Sequence, residues 1–250
     1  MPLIEIKSLD KRFGAIHAVR GISFSIRKGE VLGFLGPNGA GKSTTMKMVT
    51  GFLEPTGGAV LVCGHDILED PIAAKKKIGY LPEGAPLYGE MTVTTFLNFI
   101  ADVRDMSGPT RDKRIEEVIQ KINLQSVRHQ TLETLSKGFK RRVGVAQAIL
   151  HDPEILIMDE PTDGLDPNQK HEVRTLIKEM ASEKAIIIST HILEEVDAVC
   201  TRAIIIASGQ LLFDGTPAEL LTRSSTGKLD DVFREITSQH YEEKGMVAHS

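Results

Sequence analysis

Alternating and continuous apolar runs divide the first fifty residues into strands and a helix. Residues 3–7 and 22–26 alternate between apolar and polar positions, as strands with one covered face do. Val31 to Leu35 is nearly all apolar, which predicts a central strand covered on both faces. A glycine-rich stretch follows it, and helical spacing then continues to a stop at Gly51. The predicted order is therefore strand, glycine loop, helix.

Two more apolar runs lie in the second half of the chain, at residues 155–158 and 185–188. The segment between them carries apolar residues at i, i+3, i+4 and i+7, which predicts a helix with one buried face: Val173, Leu176, Ile177 and Met180. A helix between two fully apolar strands is typical of a parallel sheet. We therefore expect an α/β fold.

Between about residues 92 and 150 the strand pattern gives way to helical spacing alone. One predicted apolar stripe consists of Phe96, Phe99, Ile100 and Val103, and a second of Ile115, Val118, Ile119 and Ile122. This stretch reads as a helical insertion that splits the α/β core. Thr56-Gly57-Gly58 predicts a turn into a strand of a small antiparallel sheet. The chain beyond Ser224 is weakly patterned.

Composition places the chain among ordinary globular proteins. Of its 250 residues 41% are hydrophobic and 26% are charged, which excludes collagen-like and disordered classes. The longest unbroken aliphatic run, residues 203–207, is far shorter than the roughly 18 residues of a membrane-spanning helix. We expect a protein that stays inside the cell and does not itself cross a membrane. Cys63 and Cys200 lack the spacing of a zinc site.

The net charge of −4 gives no support to a nucleic-acid-binding protein, and no direct nucleic-acid partner is expected. The distribution of charge is uneven, however. Bases outnumber acids over residues 104–142, and acids outnumber bases over residues 152–197. Such an arrangement is either solvated surface or a seat for a polyanion and its cation.

The glycine-rich stretch carries the strongest chemical signal. It matches GxxxxGK[ST] with a strand before it and a helix after it, the context of a phosphate-binding loop. Glycines permit the backbone angles and close approach that let amide groups surround a phosphate, whereas the alternative is a glycine turn that matches by chance. The lysine neutralises β- and γ-phosphates and the serine ligates Mg²⁺. Candidate residues are Gly36, Pro37, Asn38, Gly39, Ala40, Gly41, Lys42, Ser43 and Thr44.

Two adjacent carboxylates follow the apolar run at residues 155–158. Asp159 stands where a strand end would bring a second metal ligand to the edge of the sheet that carries the loop. Glu160 is a candidate to polarise the attacking water. The alternative for both is a pair of surface acids that cap the next helix.

With these motifs in order, residues 3–221 resemble the ATP-binding subunit of an ABC transporter. The loop resembles Walker A, residues 155–162 resemble Walker B with its catalytic glutamate, and Asp163-Gly164-Leu165-Asp166 resembles the D-loop. His191, after Ser189-Thr190, resembles the switch histidine. The resemblance implies ATP and Mg²⁺ as cofactors, with Glu160, His191 and Lys42 as catalytic residues.

Leu135-Ser136-Lys137-Gly138-Phe139 stands where this family carries its LSGGQ signature and departs from it at the third and fifth positions. Ser136 is suited to cap the following helix, and Gly138 leaves the backbone open to a phosphate. Lys137 adds positive charge. The resemblance implies that Ser136, Lys137 and Gly138 contact the nucleotide of a second copy, in an ATP-dependent homodimer with two shared sites.

Two further positions are assigned by the resemblance. Glu83, in Gly79-Tyr80-Leu81-Pro82-Glu83, replaces the usual glutamine of the Q-loop and remains an oxygen ligand for Mg²⁺. Phe13 resembles the aromatic residue that stacks on adenine, although a core phenylalanine is the alternative. The subfamily resembles gliding-motility and multidrug cassettes through Glu83, the LSKG signature and the motifs Ser208-Gly209-Gln210, Asp214-Gly215-Thr216-Pro217 and Leu229-Asp230-Asp231-Val232-Phe233.

The fold that the resemblance implies is a P-loop NTPase core with a mainly parallel sheet, a small antiparallel β subdomain and an inserted α-helical subdomain. Residues 1–224 would form one cassette, with the core in 1–83 and 151–224, the helical subdomain in 84–150 and a tail in 225–250. A separate membrane permease would hold the chain on the cytoplasmic face of the membrane and receive motion through residues 84–91. The subfamily resemblance implies export as the direction of transport. Alternatives are a soluble ABC ATPase of translation or DNA repair, or a small kinase or GTPase.

Overall fold

The computed structural model describes residues 1–84, 86–223 and 228–243. Its strands are β1 Ile4–Phe13, β2 Ile16–Ile26, β3 Val31–Leu35, β4 Gly57–Val62, β5 His65–Asp66, β6 Ile78–Leu81, β7 Ile155–Asp159, β8 Ala185–Thr190, β9 Arg202–Ala207 and β10 Gln210–Gly215. Its helices are α1 Lys42–Val49, α2 Pro71–Lys76, α3 Val93–Val103, α4 Gly108–Lys121, α5 Lys137–Ile149, α6 Pro167–Ala181, α7 Leu193–Val199, α8 Pro217–Thr222 and α9 Leu229–Glu243. Within the described residues, none of these helices combines the length and apolar character needed to cross a lipid bilayer.

Two sheets organise the described chain. The larger has the order β10-β9-β3-β8-β7-β6, and the smaller has the order β2-β1-β4-β5. In the larger sheet β9, β3, β8, β7 and β6 run parallel, while β10 pairs antiparallel with β9. The smaller sheet is antiparallel throughout. The predicted α/β fold, with a mainly parallel sheet and a small antiparallel one, is confirmed.

Strand β7 shows how the larger sheet is covered on both faces. Because successive side chains of a strand point to opposite faces, Ile155 and Ile157 join the cluster formed with the antiparallel sheet and α1. Leu156 and Met158 instead join the cluster formed with helices α3 to α6. Every residue of β3, β7 and β8 is buried. These parallel strands end at one edge of the sheet, where the polar segments after them lie together.

Helix α3 has a different buried face from the predicted one. Phe96 is buried as expected, but Val103 is 63% exposed, while Leu97 and Ala101 are fully buried. The buried face therefore runs through Val93, Phe96, Leu97 and Ala101, because α3 packs against α4 and α5 on that side. The second predicted stripe, on α4 and just after it, is buried at all four positions: Ile115, Val118, Ile119 and Ile122.

The weakly patterned tail contains a helix. Leu229 and Val232 of α9 are buried in a cluster with Ile205 of β9 and Phe213 of β10. Phe233 and Ile236 pack half-buried against the same cluster, so Leu229, Val232, Phe233 and Ile236 form an apolar face at i, i+3, i+4 and i+7. The prediction of a weakly patterned tail is therefore wrong for this segment. Residues 225–227 and 244–250 of the predicted tail lie outside the described residues.

Candidate functional site

The glycine loop connects β3 to α1 and uses its glycines in two ways. Gly39 and Gly41 have φ angles of 77° and 105°, a left-handed region that a residue with a Cβ rarely adopts. At Gly36 a Cβ would lie 2.3 Å from the carbonyl oxygen of Ile206, so close approach to β9 excludes a side chain there. Gly41 is the N-cap of α1 and provides no side-chain cap. The amide groups of the first turn of α1 are therefore left for an external acceptor.

Lys42 is the buried positive charge of this loop. It is 7% exposed, and its Nζ donates to the carbonyl oxygens of Gly36 at 2.6 Å and Pro37 at 3.2 Å. Burial lowers the pKa of Lys42, while Glu160, Asp159 and Glu83 act against that change. Three carboxylates from two segments, the end of β7 and the turn after β6, thus act on the one ammonium group of Lys42.

A cavity of about 280 Å³ opens over the loop. Glu83 lies on its wall together with the loop, although 39 positions of sequence separate Glu83 from Thr44. Gly36 and Pro37 are not on the wall and instead hold Lys42 through their carbonyl groups. The sequence analysis missed Ala18 of β2, an alanine with no motif around it. The wall consists of Ala18, Asn38, Gly39, Ala40, Gly41, Lys42, Ser43, Thr44 and Glu83.

Asp159 and Glu160 lie at the end of β7, where the neighbouring strand β8 brings His191. Asp159 is 2% exposed, and Glu160 accepts a hydrogen bond from His191 Nδ1 at 2.8 Å through Oε1. Thr190 Oγ1 donates to the other carboxylate oxygen of Glu160 at 3.3 Å. Sequence reasoning missed Thr190, whose contact depends on the parallel register of β7 and β8. Both oxygens of the Glu160 carboxylate are thus oriented by the segment after β8.

The backbone of Glu160 is also fixed. Its φ is +50°, a value that is uncommon for a residue other than glycine. Its amide donates to the carbonyl oxygen of Ser189 at 2.8 Å. This turn away from the strand direction carries the Glu160 side chain to His191 rather than into the core.

Ser136 caps α5 as expected: its Oγ accepts from the amide of Phe139 at 3.3 Å. Lys137, expected to add a free positive charge at the turn, is paired instead with Asp163 Oδ2 at 3.1 Å. The Lys137 side chain lies against Gly164, where a Cβ would be 2.0 Å from Lys137 Nζ. Ser136, Lys137 and Gly138 do not line the cavity over the glycine loop. One chain therefore does not bring the signature-like turn to its own loop.

Phe13 ends β1 and is 46% exposed, with Lys11 Nζ 5.1 Å from its ring centroid. It is not among the residues that line the cavity, whereas Ala18, on the paired strand β2, is. The sheet thus places Phe13 on a hairpin whose second strand reaches the cavity wall. Its predicted stacking role stays a prediction.

The oxygen donors around the loop have the chemistry that Mg²⁺ prefers. Ser43 and Glu83 line the cavity, and Asp159 acts on Lys42 together with Glu83. Within the described residues there is no group of three or more His, Cys, Asp and Glu that could hold a metal ion by itself. A cation that takes a few protein oxygens and completes its shell with phosphates and water fits this donor set.

The model of the ABC transporter family matches residues 19–163. The Escherichia coli probable multidrug ABC transporter ATP-binding protein YbhF is 36% identical over 92% of this chain, which spans only 40% of that relative's length. The Bacillus subtilis linearmycin resistance ATP-binding protein LnrL is 36% identical over 88% of this chain and 71% of the relative. A solved ATP-binding subunit of an ABC transporter is 29% identical with a TM-score of 0.85, covering 94% of this chain and 99% of its own.

Proposed function

Because the chain belongs to the ABC transporter family, we propose that it binds and hydrolyses ATP and couples that cycle to a separate membrane permease. The observation that carries the proposal is the meeting of two elements at one sheet edge. A phosphate loop with a buried lysine lies beside the glutamate–histidine pair that follows β7 and β8. A loop alone would only bind nucleotide, whereas the oriented Glu160 adds a base for hydrolysis. The names of YbhF and LnrL favour transport over translation or DNA repair.

The triphosphate would lie over the glycine loop. The amide groups of residues 38–44 and the N-terminus of α1 supply directed donors to its oxygens. Lys42 would exchange its bonds to the carbonyl oxygens of Gly36 and Pro37 for the β- and γ-phosphates. That exchange keeps the ammonium group hydrogen-bonded in both states, and burial makes its attraction for phosphate stronger than in water.

Ser43, Asp159 and Glu83 would hold Mg²⁺ beside these phosphates. The ion, when bound, neutralises charge that develops on the transferred phosphoryl group. Glu83 in place of glutamine adds a negative charge to this donor set, since its carboxylate already raises the pKa of Lys42 against the effect of burial. The assignment of Asp159 and Glu83 as ligands is supported by their common effect on the pKa of Lys42, and that of Ser43 by its place on the cavity wall.

Glu160 would take the proton of the attacking water. Thr190 and His191 hold its two carboxylate oxygens, so one lone pair of each oxygen remains for the water. His191 is 55% exposed in its side chain, so it is accessible to the γ-phosphate as a stabiliser of developing charge. General base catalysis of this kind contributes about 10² to 10⁴ in rate.

The signature-like turn would complete the site of a second copy. Ser136, Lys137 and Gly138 lie outside the cavity of their own chain, and a two-fold pairing would place each turn against the partner's nucleotide. ATP would then join the two copies, and loss of the γ-phosphate would separate them. Phe13 would stack on the adenine of the nucleotide that is bound over the glycine loop of its own chain.

The permease would dock on the groove between β6 and α3. Phe52 and Val103 expose 79% and 63% of their surfaces, and both line this groove with the half-buried Tyr80. Tyr88, in the predicted coupling segment 84–91, is 57% exposed, while Ala85 lies outside the described residues. Contact here would hold the chain at the inner face of the membrane. The subfamily resemblance and the name of LnrL favour export.

The proposed division of the chain follows these roles. Residues 1–83 and 151–224 would form the catalytic core with its antiparallel sheet, and residues 84–150 the helical part that carries the docking segment and the signature. The tail, residues 225–250, has no assigned role.

The test is Glu160→Gln, which keeps the shape of the side chain and removes the base. We expect ATP binding to persist, turnover to fall by at least about 10²-fold, and a nucleotide-dependent dimer to accumulate on size-exclusion chromatography. Glu172→Gln, on the exposed face of α6, is the matched control and should hydrolyse ATP normally. Near-normal hydrolysis by the Glu160 variant would show that another group is the base.

A further inference from the structure

Arg141 is a buried charge that neither the loop nor the glutamate–histidine pair accounts for. It lies one turn after Lys137 on α5 and is 5% exposed. Its guanidinium donates to four main-chain carbonyl oxygens: those of Pro82 at 3.1 Å, Pro161 at 3.1 Å, Asp159 and Glu160. A buried guanidinium with so many directed bonds is a fixed part of the structure, because its desolvation is offset only while those bonds hold.

The four carbonyl groups belong to the two segments that carry the proposed chemistry. Pro82 precedes Glu83, and the other three surround the turn at Glu160. Since the Glu160 backbone is left-handed, it persists only where its surroundings fix it. The amide of Glu160 donates to Ser189, and its carbonyl oxygen accepts from Arg141 and from the amide of Asp163, so both peptide groups of this strained residue are fixed.

The first turn of α5 also contacts the segment between Glu160 and α6. Lys137 pairs with Asp163, and Gly138 packs so closely on Gln169 that a Cβ would lie 2.5 Å from its side chain. Gln169 in turn belongs to the capping box of α6 with Asp166. The first turns of α5 and the segment from Asp159 to α6 are therefore held together at three points along α5.

We propose that Arg141 is a positioning residue that sets the orientation of Glu160 through its carbonyl group and makes Glu160 and Glu83 follow any movement of the signature turn. This inference rests on the proposed function, in which Glu160 is the base. Its consequence is that contact of the turn with a partner's nucleotide reaches the base through one side chain. A displacement of about 1 Å at a reacting group can lower a rate by about 100-fold.

The experiment compares steady-state ATP hydrolysis by four variants: Arg141→Met, Arg141→Lys, Arg114→Gln and the double variant Arg141→Met with Glu160→Gln. Arg114 is the matched control, because it also donates to main-chain carbonyls of the α5 end, at Ile149 and Leu150, but far from Glu160. We expect Arg141→Met to lose about 100-fold in kcat with KM for ATP changed less than about threefold. Arg141→Lys should recover part of kcat, and Arg114→Gln should keep it even where its Tm falls.

The double variant separates the two proposals. If Arg141 acts through Glu160, removing both groups should reduce kcat no further than Glu160→Gln alone. A normal kcat in Arg141→Met, or a loss that adds fully to that of Glu160→Gln, would overturn the positioning role. Near-normal hydrolysis by Glu160→Gln alone would instead overturn the assignment of the base. Should Arg141→Met fail to fold, Arg141→Lys decides: an unchanged kcat overturns the proposal, and a reduced kcat with unchanged KM supports it.

Discussion

The glycine loop and the signature-like turn are two helix N-termini with opposite local arrangements. At α1 the N-cap is Gly41, which offers no side chain, so the first amide groups remain free for a ligand. At α5 the N-cap Ser136 satisfies the amide of Phe139 itself. The first arrangement is prepared for an anion within its own chain, whereas the second is already closed by its own residues.

The lysines of the two regions differ in the same way. Lys42 is 7% exposed as a residue and is held by carbonyl groups that it can exchange for phosphate. The side chain of Lys137 is 67% exposed and forms a surface pair with Asp163. Surface pairs of this kind contribute only about 0 to 1 kcal/mol, so a partner's nucleotide can replace Asp163 at little cost. In the proposed dimer, the glycine loop therefore binds nucleotide within its own chain, whereas the signature-like turn contacts the nucleotide of a second copy.

Lys42→Ala tests the first region and should have the largest effect. Removing a buried charge that hydrogen-bonds phosphate should weaken ATP binding by about 10- to 100-fold, since such bonds contribute about 1.5 to 3 kcal/mol. Titration with a fluorescent ATP analogue measures the affinity. Lys47→Ala, an exposed lysine on the same helix, is the control and should bind normally. Unchanged affinity in the Lys42 variant would contradict its phosphate role.

Ser136→Ala tests the second region. ATP binding by the single chain should stay within about twofold, while hydrolysis falls about tenfold, because a lost phosphate contact of about 1.4 kcal/mol acts only in the dimer. Loss of an N-cap also costs about 1 kcal/mol of stability. Thr92→Ala removes the equivalent cap of α3 and controls for that cost. If Ser136→Ala and Thr92→Ala lowered hydrolysis equally, the loss would be explained by helix stability, and the proposed phosphate contact of Ser136 would be contradicted.

The two regions also differ in how far the sequence predicts them. The glycine loop follows from a local pattern, because strand β3, the loop and α1 are contiguous and each leaves its own signal. The wall residue Ala18 and the contact of Thr190 with Glu160 arise from strand pairing across long separations, which a local pattern does not encode. The positive charge of Lys137 is evident in the sequence, but its pairing with Asp163 is not, because the two residues are 26 positions apart.

The sequence also does not decide which face of α3 is buried. Hydrophobic spacing alone allowed the stripe through Phe99, Ile100 and Val103, and it also allowed the one through Phe96, Leu97 and Ala101. The packing of α4 and α5 decided between them, and left Val103 on the groove. Arg141 was predicted as one member of a basic segment, since nothing local marks a guanidinium that will be buried among carbonyl groups.

Glu83→Gln tests the carboxylate that lines the cavity over the glycine loop. Glutamine removes one negative charge near the phosphates. The affinity for ATP without Mg²⁺ should therefore rise about fivefold, because repulsion between charges near a solvated surface costs about 1 kcal/mol. With excess Mg²⁺ the gain should shrink, because glutamine is a weaker ligand for the ion. Titrations with and without Mg²⁺ measure both values, and Glu90→Gln, an exposed carboxylate of the same segment, is the control. Equal gains in the two titrations would remove Glu83 from the metal site.

His151→Gln tests the contact between the C-terminal end of α5 and the larger sheet, and its effect should be the smallest. His151 follows α5 and its Nε2 donates to the carbonyl oxygen of Ile78 in β6 at 3.0 Å. Burial, with a smaller contribution from the charge of Arg104, lowers the pKa of His151 to about 4. An unfolded histidine has a pKa of about 6.5, so between those values the unfolded chain binds more protons. Stability should therefore fall as the pH drops through this range.

From pH 7 to pH 6 this linkage amounts to about 0.7 kcal/mol in the free energy of unfolding, present in the parent protein and absent in the variant. Urea unfolding at the two pH values measures it. His171→Gln, an exposed histidine of α6, should keep the parent's pH dependence. If the free energy of unfolding depended on pH in the same way in the parent and in the His151 variant, His151 would not be the group whose titration lowers stability in acid.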